Sequence, residues 1–227
     1  MSPVRQTPRL VALDIDGTLL DWDERVSPRV VAAVRATIDA GHHVVLATGR
    51  SVHGTMHVLE LLGIERGWVV CSNGSVTLRL DPDADRGYHV ADVVTFDPAP
   101  ALRLLQGHLP DALYAVEGAD VAGTRLVTAA FPDGELVGPY QVVPFEGLLH
   151  APATRVVVRS VEHTPEDFER VVAAAGLHGV GYAIGEGINY AFERFTGNSI
   201  GGAIYDMVNG GGGGGGGGAA YRMVCAY

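Results

Sequence analysis

Lysine is absent from the 227-residue sequence, so all 16 basic residues are arginines. They stand against 26 acidic residues, and the net charge of −10 leaves no basic stripe to offset a nucleic-acid backbone, so nucleic acid is excluded as a partner. The two cysteines, Cys71 and Cys225, make no disulfide framework, and we interpret both as ordinary buried thiols. No run approaches the roughly 20 apolar residues of a membrane helix, and the N-terminal residues do not resemble a secretory signal. We therefore expect no membrane partner and a cytoplasmic location.

The first 80 residues alternate short apolar runs with helical patterns. Ser27-Pro28 predicts a helix start and Gly41 its end, and a second helix is predicted from about Val52 to Leu62, before Gly63. Buried strands are predicted at Arg9–Leu13, His43–Ala47 and Trp68–Cys71. Strand, helix, strand, helix, strand with short connections is typical of an α/β protein with a doubly wound parallel sheet.

A polar cluster follows each predicted strand. The clusters are Asp14 to Thr18, Thr48 to Arg50, and Ser72 to Gly74. Ligands of such sheets bind at the carboxyl ends of the strands, so we expect the three clusters to meet in one site.

Asp14 and Asp16 are the candidate reacting pair. Side chains at alternate positions of an extended segment point to the same side, and two adjacent carboxylates repel unless they share a cation or a proton. Mg²⁺ suits such a pair because it binds carboxylate oxygens and phosphate together. One carboxylate can attack phosphorus while the other serves as acid and base, and Gly17 can turn the backbone and offer its N–H to phosphate. The alternative for this pentapeptide alone is a plain Asx turn.

The other clusters leave more than one interpretation open. Thr48 is either a phosphate-binding hydroxyl or a helix cap, and Gly49 leaves room for a phosphate to approach. Arg50 either clamps an anionic substrate group or pairs with an acidic neighbour, and Asn73-Gly74 alone would be an ordinary turn. We interpret Asp21, Asp23 and Glu24 as a solvated acidic loop beside the site.

After about residue 90 the pattern changes to that of a separate α/β unit. A helix is predicted from Asp97-Pro98 to Leu109 and a strand at Val156–Arg159. A further helix, containing Phe168 and Val171, is predicted to be capped by Thr164 to Asp167.

Three segments resemble the Cof-type branch of the haloacid dehalogenase superfamily: Leu13–Leu20 (LDIDGTLL), Leu46–Arg50 (LATGR) and Ser72–Gly74 (SNG). The resemblance implies a Rossmann-like core, residues 1–90 and 187–227, with an inserted α/β cap, residues 91–186. It implies a Mg²⁺-dependent phosphatase acting on a small phosphorylated metabolite, often a sugar phosphate, that is bound under the cap. Oligomeric state is left open.

The same resemblance implies a role for each candidate residue. Asp14 would be nucleophile and metal ligand, and Asp16 would be the acid and base with its carbonyl on the metal. Thr48 would bind phosphoryl oxygens, with Arg50 and Asn73 near the substrate.

The last forty residues depart from the family pattern. Ile200 stands where the family has a lysine, within a frame from Gly197 to Ile204 that otherwise matches, and the second acidic metal-binding stretch is absent. Residues 210–218 are an unbroken glycine run, which we interpret as altered rather than natural sequence. A phosphomutase and a phosphate-binding protein with a decayed catalytic site are therefore kept as alternatives to the phosphatase.

Overall fold

Valine, leucine and alanine build the three predicted strands, which pair in parallel as β1 (Leu10–Leu13), β2 (His43–Ala47) and β3 (Gly67–Cys71). The computed structural model describes residues 8–21, 24–120, 123–133, 135–136, 138–160, 162–164, 167–168, 170–171 and 225–226. Within them the α/β architecture expected from the sequence is confirmed.

The two helices between these strands lie where they were predicted, but the C-cap of the first is Ala40 rather than Gly41 and the N-cap of the second is Ser51. The side chain of Ser27 accepts a hydrogen bond from Val30 N–H at the start of α1 (Pro28–Asp39). Helix α2 (Val52–Leu62) begins after Ser51, whose Oγ accepts from Gly54 N–H. It ends at Gly63, which adopts the left-handed conformation at φ +67°.

The first sheet is mixed, because two antiparallel strands follow the parallel ones. The strand order is β1-β2-β3-β4-β5, and β4 (Val76–Leu80) and β5 (Tyr88–Val93) form a hairpin around the polar turn 81–87. The connections into these two strands are too short for a parallel crossover, so the chain reverses. The residues from 187 on, expected as the second part of the core, lie outside the described residues apart from 225–226.

Both helices pack on one face of this sheet. The core there joins Val34 of α1 and Leu62 of α2 to Leu46 and Val69 of the strands. The opposite face carries a smaller cluster of Val45, Ala47 and Val70. Strand β1, predicted as buried, is only partly buried and leaves Ala12 exposed, because it is paired on one side only within the described residues.

A second five-stranded sheet follows in the order β10-β9-β6-β7-β8. Its members are β6 (Leu113–Gly118), β7 (Arg125–Val127), β8 (Tyr140–Val142), β9 (Ala153–Arg159) and β10 (Cys225–Ala226). Helix α3 (Ala99–His108) and a 3₁₀ turn (Phe145–Leu149) cover it, and the core includes Tyr114, whose hydroxyl donates to the Leu109 carbonyl at 2.7 Å.

The two sheets qualify the expected division of the chain. Strand β5 crosses the expected boundary at residues 90–91, and its pairing with β4 assigns it to the first sheet. Strand β10, expected in the core, pairs with β9 in the second sheet.

The helix predicted after Thr164 is described only in part. The backbone N–H of Asp167 donates to Thr164 Oγ1, as expected of a helix cap. Most of the helix lies outside the described residues, as do Ile200 and the glycine run. In the described part of the chain, no helix is long and apolar enough to cross a membrane.

Candidate active site

The turns that follow β2 and β3 are joined by backbone hydrogen bonds. Asn73 N–H donates to the Thr48 carbonyl at 3.1 Å, and Ser72 N–H donates to the Arg50 carbonyl at 2.8 Å. Ser72 and Asn73 reach these positions with φ of +50° and +54°, a conformation that side chains rarely adopt. The structure thus brings together two of the three polar clusters, and it fixes their backbones at the carboxyl ends of the strands.

The third cluster follows β1 and supplies the two carboxylates. Asp14 and Asp16 are both partly buried, and Gly17 turns the backbone at φ +71°, where only glycine is unstrained. Burial raises the pKa of the Asp14 carboxyl, and repulsion from Asp16 adds to the rise, while a hydrogen bond from Ile15 N–H opposes it. A cation beside Asp14 would favour its charged form.

Arg50 pairs with acidic neighbours, one of the two roles that the sequence left open. Its Nε lies 3.0 Å from both carboxylate oxygens of Asp16, and its Nη2 lies 2.6 Å from Asp16 Oδ1. Desolvation opposes the charge on the guanidinium, but the hydrogen bonds and attraction of Asp16 and Glu24 outweigh it and raise the pKa of Arg50. Arg50 thereby connects the β2 turn to the carboxylates after β1.

Glu24 contributes to the site, although the sequence indicated only a solvated acidic loop. Its Oε1 accepts from Arg50 Nη2 at 2.8 Å, while the side chain remains 70% exposed. Its φ of +56° is strained for a residue with a side chain. The acidic composition of the loop was the only available signal, and it could not indicate which acid reaches Arg50.

Thr48 is nearly inaccessible, and its hydroxyl accepts a hydrogen bond from Arg50 N–H at 3.1 Å. A hydroxyl that accepts still has its own hydrogen to donate, so Thr48 keeps one donor for a phosphoryl oxygen. The helix cap considered for Thr48 is instead Ser51. Gly49 between them is buried, and its carbonyl accepts from Arg155 Nη1 at 2.7 Å.

The Arg155 contact reaches the site from the second sheet, and no sequence pattern indicated it. Arg155 also donates to both carboxylate oxygens of Glu117, and Arg125 Nε lies 3.2 Å from Glu117 Oε1. A small open cleft lies at this junction, lined by residues of both units that include Ser51, His53, Ser72, Glu117, Arg125 and Thr154.

A metal site built from side chains of the described residues alone would be incomplete. Among them, no group of three or more His, Cys, Asp or Glu side chains could hold a metal ion. Asp14 and Asp16 supply oxygen donors of the kind that Mg²⁺ prefers, and the raised pKa of Asp14 marks the negative charge that a cation would offset. The donor set therefore fits Mg²⁺ in kind.

Cys71, at the end of β3, is an ordinary buried thiol as predicted. It is fully buried, and its Sγ donates to Thr55 Oγ1 at 3.5 Å. Burial raises the pKa of the thiol to about 12, so no reactive thiolate forms near neutral pH.

Part of the chain is similar to a family of known proteins. Residues 11–95 match the family model of haloacid dehalogenase-like hydrolases. A protein of Streptococcus pyogenes serotype M6 named as a phosphatase is 34% identical over 111 residues, which are 48% of this chain and 40% of the relative. The pyridoxal phosphate phosphatase YbhA of Escherichia coli is 31% identical over 101 residues, which are 44% of this chain and 34% of the relative. The chain thus spans less than half the length of these curated relatives.

A solved structure supports the same fold. A haloacid dehalogenase-like hydrolase from Bacillus subtilis superimposes with a TM-score of 0.56 at 20% identity, covering 76% of this chain and 68% of that one. Over residues 11–95 the chain is therefore similar to the haloacid dehalogenase-like hydrolases, the superfamily whose Cof-type branch its motifs resemble.

Proposed function

We propose that this protein is a Mg²⁺-dependent phosphatase that hydrolyses a small phosphate monoester through an aspartyl-phosphate on Asp14. The observation that carries the proposal is the convergence of the two carboxylates with the Thr48–Arg50 turn, where Arg50 lies 2.6 Å from Asp16. Carboxylates, a buried hydroxyl and a guanidinium at the ends of parallel strands are the groups that phosphoryl transfer requires.

Asp14 is the proposed nucleophile. A carboxylate oxygen of Asp14 attacks phosphorus, the phosphorus–oxygen bond to the leaving alcohol breaks, and the alcohol takes a proton from Asp16. Asp16 then removes a proton from the water that attacks the aspartyl-phosphate and releases inorganic phosphate. Thr48 donates its hydroxyl to a phosphoryl oxygen, and the turn around Gly49 and the N–H of Gly17 orient the group.

Arg50 is proposed to exchange partners when substrate enters. Both oxygens of Asp16 accept from Arg50 in the ligand-free protein, which leaves Asp16 poorly placed to give up a proton. A phosphate dianion competes for the same guanidinium because it offers a matching pair of oxygens. Substrate binding would thus free Asp16 at the moment its proton is needed, while Glu24 keeps Arg50 nearby.

Mg²⁺ would be held by the Asp14 carboxylate and by the backbone carbonyl of Asp16. When bound, it neutralises negative charge on the transferring phosphoryl group and on Asp14. The carbonyl leaves the Asp16 side chain available for proton transfer.

The substrate is proposed to be a small phosphorylated metabolite of the sugar phosphate class. The cleft between the two sheets is lined by serine, threonine and carboxylate side chains, which can exchange hydrogen bonds with the hydroxyl groups of such a molecule. The relative from E. coli is named for another small phosphate monoester, pyridoxal phosphate, which supports the size of the substrate.

Hydrolysis of p-nitrophenyl phosphate with and without Mg²⁺ tests the proposal. We expect metal-dependent release of p-nitrophenol by the full chain, and a loss of at least about 10³-fold in kcat for Asp14→Asn, which cannot form the acyl phosphate. Turnover that is equal in the variant would contradict the assignment of Asp14. Binding of inorganic phosphate without turnover would instead support the phosphate-binding protein, the alternative that Ile200 suggests.

A further inference from the structure

The carbonyl of Gly49 has a partner from a distant part of the chain. The carbonyls on either side of it, those of Thr48 and Arg50, accept hydrogen bonds from the turn after β3. The Gly49 carbonyl instead accepts from Arg155 Nη1 at 2.7 Å, across 106 residues of sequence. All three carbonyls of the Thr48–Arg50 turn are therefore held, and the central one is held by the second sheet.

Glu117 fixes the direction of the Arg155 side chain. Nε and Nη2 of the guanidinium donate to the two carboxylate oxygens of Glu117 at 3.0 and 2.6 Å, which leaves Nη1 directed at Gly49. The two side chains are 6% and 12% exposed, so water screens the pair only weakly. A planar, bidentate pair of this kind has one geometry, and the guanidinium cannot turn without breaking it.

The position of the pair depends on the second sheet alone. Arg155 on β9 and Glu117 on β6 are directly opposite each other in the antiparallel register of these strands. Nε of Arg125, on β7, reaches the same carboxylate at 3.2 Å. Three neighbouring strands thus build one buried ionic cluster, and a hydrogen bond from this cluster reaches the Thr48–Arg50 turn of the first unit.

We propose that Arg155 is a positioning residue that fixes the Thr48–Arg50 turn for phosphate binding and links the placement of the second unit to that turn. The proposal rests on the proposed function, in which this turn holds the phosphoryl group. Without Arg155 the turn loses its hydrogen bond from the second sheet, so it relaxes and its Thr48 and Arg50 donors lose their alignment. Arg155 acts through the turn and does not itself contact the reacting atoms.

Arg155→Met and Arg155→Lys test this in the full chain, with Arg159→Met as the matched control. Arg159 lies on the same strand and pairs with Glu135 at 3.0 Å, wholly within the second unit. The control removes the same charge from the same strand but breaks no contact with the turn. Hydrogen exchange of the peptide covering residues 48–55, affinity for inorganic phosphate, and thermal melting are measured for each variant.

For Arg155→Met we expect amide exchange in this peptide to be about tenfold faster and phosphate affinity about tenfold weaker, the loss expected for one hydrogen bond from a charged donor. Arg155→Lys keeps the charge beside Glu117 and is expected to recover the melting temperature but not the exchange protection. Arg159→Met is expected to leave exchange and phosphate affinity within twofold of the unchanged protein.

Two results would overturn the proposal. One is a lower melting temperature for Arg155→Met with unchanged exchange in residues 48–55, because that describes a role in stability alone. The other, decisive if Arg155→Met does not fold, is exchange and phosphate affinity in Arg155→Lys equal to those of the unchanged protein. Hydrogen exchange does not depend on catalysis. If the protein fails to hydrolyse p-nitrophenyl phosphate, the proposed function is refuted, but hydrogen exchange in residues 48–55 still tests the role of Arg155.

Discussion

Arg50 contacts both carboxylate oxygens of Asp16 and one of Glu24, and these two partners differ in their exposure to solvent. Its own side chain is 18% exposed and that of Asp16 is 32% exposed, whereas Glu24 is 70% exposed. Ion pairs in water contribute about 0–1 kcal/mol, and shielded bidentate pairs contribute more. The Asp16 contact therefore governs where Arg50 lies, and Glu24 adds a weaker tether.

This difference predicts unequal effects of two substitutions on catalysis. Arg50→Met removes the guanidinium that we propose to bind the phosphate dianion, so we expect KM for p-nitrophenyl phosphate to rise about ten- to hundredfold. Glu24→Gln removes only the exposed tether, and we expect KM to change by less than about threefold. Steady-state kinetics of both variants at saturating Mg²⁺ makes the comparison, and equal effects on KM would contradict the proposed exchange of partners.

At the scale of elements, the caps and the parallel strands were predictable because their causes are local. Ser27, Gly41 and Gly63 mark helix ends through their own backbone and side-chain preferences, and each predicted end lies within two residues of the observed one. The antiparallel hairpin was not predicted, although Val76, Leu78 and Leu80 alternate with polar residues as a strand does. Attention to that alternation on one side of the turn 81–87 could have revealed it.

The convergence of the strand ends was also predictable, but the contacts of their side chains were not. Parallel strands bring their carboxyl ends to one edge whatever their side chains are, which is why Thr48 and Asn73 were expected to be neighbours. The pairing of Arg155 with Gly49 depends on how two sheets dock, and no local pattern encodes it. The partners of Arg50, Asp16 and Glu24, lie in its own unit, but they are distant in sequence, and no local pattern selects them among the nearby acids.

The Ser27 cap offers a test at the level of a single element. Ser27→Ala removes the acceptor for Val30 N–H, and we expect the free energy of unfolding to fall by about 1 kcal/mol. Ser27→Asp supplies another good capping oxygen and should recover most of the loss. Urea denaturation of both variants measures the difference, and an alanine variant as stable as the unchanged protein would show that the cap contributes little.

At the scale of the molecule, the hydrophobic core is divided. One large cluster lies between the first sheet and helices α1 and α2, and another lies under α3 in the second sheet. Both tryptophans, Trp22 and Trp68, belong to the first 90 residues. Tryptophan fluorescence therefore reports on the first unit, whereas far-ultraviolet circular dichroism reports on both.

Tyr114→Phe tests whether the two units unfold separately. It removes one of two donors to the Leu109 carbonyl, which still accepts from Ala112 N–H, so we expect the second unit to lose about 1 kcal/mol. Because units joined by a small interface tend to unfold separately, we expect the denaturation midpoint to shift more by circular dichroism than by tryptophan fluorescence. Equal shifts of the two signals would mean that the units unfold as one.

Strand β5 closes the first sheet with four consecutive exposed residues, from His89 to Asp92. An open strand edge is a template for self-association, because its free backbone groups can pair with a strand of another molecule. The charge of Asp92 and the irregular register between Thr77 and Leu78 on the neighbouring strand both make such pairing less favourable. This edge thus resists aggregation by its own composition, and a substitution that neutralised Asp92 would weaken that protection without touching the candidate site.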